Sequence, residues 1–201
     1  MAKELELKLQ LQDPRQIPEI LSSPLLLPYL QEPVRRIPME TTYFDNEIKL
    51  FSRLHWTLRQ RKEGEEDVLC LKTPSEDPSI RNEYQVCAST LSEDGIRSLI
   101  EAGAPSVLLD YYKDSPVAPI CGARFLRRCT MLQFPDGSRA ELALDQGELF
   151  GSKGTLPILE LELELYEGTP NAMIELAKSL CTAFSLHPQP HSKFARAKTL
   201  G

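Results

Sequence analysis

Leu5, Leu7, Leu9 and Leu11 take every odd position near the start of the chain, and Glu4, Glu6, Lys8, Gln10 and Gln12 take every even one. Successive residues of a strand point to opposite faces, so residues 2–12 predict a β-strand with one apolar and one charged face. The alternation returns along the sequence. Thr57, Arg59 and Arg61 oppose Trp56 and Leu58; Arg81, Glu83 and Gln85 oppose Tyr84 and Val86. Arg139, Glu141 and Asp145 oppose Ala140, Leu142 and Leu144, while Glu160, Glu162 and Glu164 oppose Leu159, Leu161, Leu163 and Leu165. Lys72 stands opposite Leu69 and Leu71, and Arg127 shares a face with Phe125 and Cys129. The pattern predicts eight strands, at 2–12, 34–45, 55–63, 67–73, 80–88, 121–134, 137–146 and 156–167.

Helices fit between them: one within 14–31, a short one around 46–53, one at 92–102 with Ser92 as N-cap, and one at 170–184 opened by Thr169-Pro170. Asp136-Gly137 marks a tight hairpin. Proline-rich stretches at 14–38, 74–78, 105–119 and 188–190 read as connections, and the basic tail 188–201 as partly irregular. Strands dominate, so the expected class is α+β with an antiparallel sheet.

Composition narrows this picture. At 201 residues the chain suits one domain. A formal charge of −6 points away from nucleic acid and anionic membranes as partners. No apolar run is long enough to span a bilayer, and "MAKELELK" has no apolar core for a signal peptide. Five cysteines without a CxxC pair read as reduced thiols of a cytoplasmic protein.

One strand with a charged face simply has a wet side. The set of strands carries more. Like charges repeat at i, i+2 (Glu4/Glu6, Arg59/Arg61, Glu160/Glu162/Glu164), about 7 Å apart along a strand, a repulsion that a ligand would relieve. The bases are mostly arginine, suited to forked contacts with phosphate oxygens. Paired carboxylates suit a hard divalent cation. A sheet curled into a barrel, leucines outward under helices and charges inward, would hold both.

The "ELELK" stretch, with "TTYFDN" (41–46), "LRQRK" (58–62), "LKTP" (71–74), "RNEYQV" (81–86), "FLRR" (125–128), "LALDQGEL" (142–149), "LELELEL" (159–165) and "SKFAR" (192–196), resembles the CYTH superfamily, the triphosphate tunnel metalloenzymes. Among these the chain looks most like bacterial inorganic triphosphatases. The resemblance implies an eight-stranded antiparallel tunnel that hydrolyses a triphosphate with Mg²⁺ or Mn²⁺. It implies metal ligands at Glu4, Glu6, Asp145, Glu160 and Glu162. Phosphate contacts are implied at Lys8, Arg59, Arg61, Lys72, Arg81, Arg127, Lys193 and Arg196. Glu4, Glu6, Lys8, Glu160 and Glu162 form the implied catalytic group, with a second ion or a carboxylate such as Glu160 or Glu162 expected to orient and activate the water. Glu83, Arg139, Glu141 and Glu164 share the charged faces and rank behind. The chain ends without the helical domain that follows the tunnel in some bacterial relatives, so a single domain over 1–201 is expected.

Other features read as structural. His55, His187 and His191 lack metal-ligand spacing, "GSKGT" (151–155) reads as a turn, and Cys70 and Cys87 as small core thiols. Trp56 reads as core, and "LLLPYL" (25–30) as a helix packed outside the barrel. The alternatives to an inorganic triphosphatase are adenylate cyclase, thiamine triphosphatase or nucleoside triphosphatase on the same scaffold, or a non-catalytic polyphosphate-binding module. Oligomeric state is left open by the sequence.

Overall fold

The computed structural model describes residues 2–77 and 80–201, with side chains from Leu5 onward. The backbone of Glu4 is included; its side chain, and with it the metal-ligand and catalytic roles expected there, lies outside the described residues. The strands are β1 (Ala2–Glu4), β2 (Glu6–Gln10), β3 (Arg35–Asn46), β4 (Thr57–Glu63), β5 (Glu66–Pro74), β6 (Arg81–Cys87), β7 (Val117–Gln133), β8 (Arg139–Gly151), β9 (Gly154–Glu167) and β10 (His187–Pro188). The helices are α1 (Gln16–Leu21), α2 (Leu50–Arg53), α3 (Glu93–Glu101), α4 (Leu108–Asp114), α5 (Asn171–Phe184) and α6 (Lys193–Ala197).

All strand pairs are antiparallel, in the order β1-β6-β5-β4-β3-β7-β8-β9-β2-β10. The predicted first strand is divided at Leu5. Its first half pairs with β6 and its second with β9, so one stretch of chain reaches both ends of the curled sheet. Among the described residues, hydrogen bonds do not close the ring as a continuous ladder. The eight predicted strands are otherwise present, with the two-residue β10 added.

The leucine faces pack outward as expected. Leu142, Leu144, Leu161 and Leu163 are fully buried beneath Met173 and Leu180 of α5 and Ile20 of α1. Leu58, Leu69, Leu71 and Tyr84 are covered by Ile96 and Leu99 of α3, Leu108 of α4 and Phe51 of α2. Each such side chain contributes about 1.5–3 kcal/mol. Ser92 caps α3, accepting from the Gly95 N–H at 3.2 Å. The aspartate of "TTYFDN" is structural: buried Asp45 accepts the N–H groups of Phe51 and Ser52 at 3.0 Å each, holding the start of α2.

Several elements depart from expectation. α4 occupies a stretch read as a connection; no side chain caps it, and packing on the α3 cluster holds it instead. Thr169 does not cap α5, its hydroxyl turning to Asp136 at 3.4 Å. "LLLPYL" forms one 3-10 turn, Leu27–Tyr29, with only Leu26 fully buried. The tail is ordered into α6 and a 3-10 turn, and it enters the sheet's interior. There Phe194, Ala197 and Leu200 join Met39, Tyr43, Phe125, Leu149 and Ile158 in an apolar cluster. The interior is therefore charged in one part and apolar in another.

Gly147 lets β8 approach β7 closely. A Cβ on it would lie 2.1 Å from the Arg124 carbonyl oxygen and 2.5 Å from Phe125 Cα, contacts that only backbone displacement could relieve. Gly147→Ala should cost at least about 1–3 kcal/mol and lower the melting temperature; an unchanged melt would refute this close approach.

Candidate active site inside the curled sheet

The inward faces surround a cavity of about 320 Å³. Strand register sets its composition. β4 and β5 bring Arg59, Arg61 and Lys72 to one wall, and β6 adds Glu83 and Gln85. Arg59 Nη2 donates to Glu83 Oε1 at 3.1 Å, Lys72 Nζ lies 3.4 Å from Glu83 Oε2, and the Cys70 thiol donates to Glu83 Oε1 at 3.0 Å. Arg61 pairs with Glu63 at 2.9 Å. Among the described residues, Arg59 and Lys72 share Glu83 while Arg61 takes Glu63. Burial opposes ionisation of Glu83, but Lys72 and Arg59 outweigh it and bring its pKa down to about 2.

β2, β7, β8 and β9 build the other charged half. Arg127, Asp145 and Glu160 fall in one cross-strand row, and Lys8 stands opposite Glu162. Arg127 makes a forked contact with Asp145, Nε to Oδ1 at 2.9 Å and Nη2 to Oδ2 at 2.7 Å, and reaches Glu162 Oε2 at 2.6 Å. Lys193 of α6 lies 2.7 Å from Asp145 Oδ2 and 2.7 Å from Glu162 Oε1, and also pairs with Glu160. Arg196, one turn further on, pairs with Glu160. Asp145 and Glu160 are wholly buried.

Glu6 and Glu162 share this half, and their ionisation separates. Burial, then the charge of Glu162, raises the Glu6 pKa from 4.5 to about 8, although Lys8 donates to it at 2.5 Å. Glu162 is held well below the carboxylate range: burial opposes this, but Lys193, Arg127 and Lys8 prevail. The two carboxylates are therefore pushed in opposite directions, Glu6 up and Glu162 down.

Glu6, Lys8, Arg59, Arg61, Lys72, Glu83, Arg127, Glu141, Glu162, Glu164 and Lys193 all line the cavity, as the sequence predicts. Asp145, Glu160 and Arg196 lie behind Lys193 and do not line it. Arg81 donates to the His55 carbonyl and is not among the lining residues. Arg139 is not among the lining residues: it opens β8 where β9 carries an extra residue, Tyr166, opposite the Arg139–Ala140 step, and its guanidinium lies over Tyr166 and 3.9 Å from Glu167. Sequence reasoning missed the inward row of β3, Arg35, Ile37, Met39, Thr41 and Tyr43. Arg35 pairs with Glu141 at 3.4 Å. The row's strict alternation from Arg35 to Tyr43 was the available signal, but it carries little charge.

Asp145, Glu160 and Glu162 offer oxygens that all lie within 4.8 Å of one another. Three carboxylates at this separation fit a hard divalent cation.

The family profile of the CYTH domain matches residues 2–197. The chain is 26% identical to an inorganic triphosphatase of Haemophilus influenzae; the match takes in all of this chain and 56% of that protein, so the chain spans about half the length of this curated relative. Its fold is similar to that of a Hippeastrum protein described as an adenylyl cyclase candidate with a dominant triphosphatase activity. That match has a TM-score of 0.62 at 19% identity and covers 98% of this chain and 96% of that one. A Pyrococcus horikoshii protein superposes with a TM-score of 0.54 at 18% identity, over 96% and 97% of the two chains.

Proposed function

The chain belongs to the CYTH domain family, and from that premise we propose that it is a metal-dependent inorganic triphosphatase, cleaving tripolyphosphate to pyrophosphate and phosphate within one tunnel domain. The observation that carries this reading is the basic wall: Arg59, Arg61 and Lys72 project from two adjacent strands into one cavity. Charge-assisted contacts from several bases to linked phosphates are strong and depend on spacing. They need no base-recognition pocket.

In this mechanism Arg59, Arg61, Lys72 and Lys8 anchor the phosphate chain and disperse charge on the transferred group. Glu83 holds Arg59 and Lys72 in place. Glu162 is ionised and faces the cavity, so it accepts a hydrogen bond from the attacking water and orients it. Held so far down by its bases, it is a weak proton acceptor, and orientation is its stronger contribution. Glu6 and Glu162, with Asp145 and Glu160 behind, are the residues that would hold Mg²⁺ or Mn²⁺. Such an ion supplies neutralisation of phosphate oxygens and lowers the pKa of bound water. Five free thiols fit a reducing, cytoplasmic setting.

Phosphate release from tripolyphosphate, pyrophosphate, ATP and thiamine triphosphate, with Mg²⁺, Mn²⁺ or chelator, tests the proposal. Turnover should vanish on chelation. Pyrophosphate should be the poorer substrate by about tenfold to a hundredfold in kcat/KM, since one charge-assisted contact contributes roughly 1.5–3 kcal/mol. Equal efficiency on pyrophosphate, or full activity in chelator, would remove the reading. A second reading, an organic triphosphate as substrate, is favoured by the apolar side of the cavity, where Ile37, Met39, Tyr43 and Phe125 could receive an organic group. Faster turnover of ATP or thiamine triphosphate would select it.

A further inference from the structure

Lys193 was expected among the phosphate contacts, yet its ammonium is taken by carboxylates. It lies at ion-pair distance from Asp145, Glu160 and Glu162 together, the three residues whose oxygens converge within 4.8 Å. The cluster is balanced from within: three carboxylates meet Lys193, Arg127 and Arg196. We infer that Lys193 is a tethered cation occupying the place of a divalent ion among Asp145, Glu160 and Glu162, so that docking of α6 and binding of an ion to all three carboxylates exclude one another. The inference rests on the metalloenzyme reading of this cavity.

The electrostatics are direct. With Lys193 docked, a divalent ion would add two positive charges to a neutral, buried cluster. With Lys193 withdrawn, the cluster carries a net negative charge and free oxygens. What resists withdrawal is visible in the packing. Phe194 packs against Tyr43 in a tilted pair with ring centroids 4.9 Å apart, and Ala197 and Leu200 sit in the interior apolar cluster. Ser192 caps α6, accepting from the Ala195 N–H at 3.0 Å. The apparent ion affinity is then the intrinsic affinity reduced by the fraction of molecules with α6 undocked.

The test is Mn²⁺ binding to metal-freed protein without substrate, followed by electron paramagnetic resonance, for the natural chain and Lys193→Met. The variant keeps the side-chain bulk and removes the charge. It should bind Mn²⁺ at least about tenfold more tightly, the gain expected if α6 is docked in at least nine of ten molecules. In the natural chain, saturating Mn²⁺ should speed hydrogen exchange at the amides of residues 193–200. Equal or weaker binding by a folded variant, no Mn²⁺ binding by either protein, or exchange that is unchanged or slowed would each overturn the inference. Should the variant fail to fold, exchange in the natural chain decides alone. Release of α6 by Mn²⁺ without any triphosphate hydrolysis would overturn the catalytic proposal and leave this one standing.

Discussion

Arg127→Met should destabilise the protein by about 3–5 kcal/mol, the range for removing one partner of a buried ion pair. Its guanidinium is the forked partner of Asp145, a carboxylate with no solvent exposure, and also reaches Glu162. Burial works against the charge of Arg127, yet Asp145 and Glu162 raise its pKa well above the arginine range. Without it, Asp145 and Glu162 depend on Lys193, already shared with Glu160. Arg59→Met is the informative contrast. Glu83 would keep Lys72 and Cys70 as partners, so the stability loss should be smaller, about 1–2 kcal/mol, while KM for tripolyphosphate rises about tenfold or more. Urea unfolding of both variants beside steady-state kinetics separates the roles. Should Arg127→Met unfold within 1 kcal/mol of the natural protein, Arg127 would be a phosphate ligand and not the internal counter-ion of Asp145.

The parity of charged and apolar residues made most of this legible. "ELELKLQLQ" and "LELELELY" could bury leucine on one face only, and the structure places those leucines, except Leu5 at the strand break, beneath α5 and α1. The same parity points Glu6, Lys8, Arg59, Arg61, Lys72, Glu83 and Glu162 into one cavity. It misleads at a strand end, where Arg139 shares the parity of Glu141 but is drawn to Tyr166 and Glu167 of β9. It is silent where an inward row is apolar. Met39, Tyr43 and Phe125 carry the pattern of a core face, and only the curl of the sheet and the entry of Phe194 show that this core lies inside. α4 lacked a capping side chain, and Lys193 gave no sign in the sequence of how many carboxylates it would meet. Pairings across 31 to 48 residues follow from topology.

Glu6→Gln should flatten the pH dependence of stability and collapse turnover. In the ion-free protein the Glu6 pKa stands at about 8 against 4.5. Below 4.5 Glu6 is protonated in both folded and unfolded chains and exerts no pH effect. Between 4.5 and 8 the unfolded chain releases a proton that the folded chain keeps, so stability falls as pH rises, by up to a few kcal/mol, and levels off above 8. Glu83 acts oppositely and elsewhere: its pKa is depressed to about 2, so its contribution is complete above 4.5 and is lost as pH falls toward 2. The two windows do not overlap, but burial also raises the pKa of Glu141, so the part of the slope above pH 5 that belongs to Glu6 is the part that Glu6→Gln removes. Glutamine cannot ionise, so the variant should melt at or above the natural protein at pH 8 without added metal. The same substitution removes the carboxylate that Glu6 can ionise and offer to a divalent cation beside Glu162. With Mg²⁺ or Mn²⁺, kcat/KM should drop by at least about a hundredfold, beyond the usual loss from outer-sphere partners of a metal site. Leu161→Ala provides the opposite signature, losing about 2–5 kcal/mol through a cavity on the outer face. Thermal melts at pH 5, 6.5 and 8, beside turnover, distinguish the two. If Glu6→Gln kept natural turnover, or melted as low as Leu161→Ala, then the charged face of "ELELK" would serve folding and not phosphate chemistry.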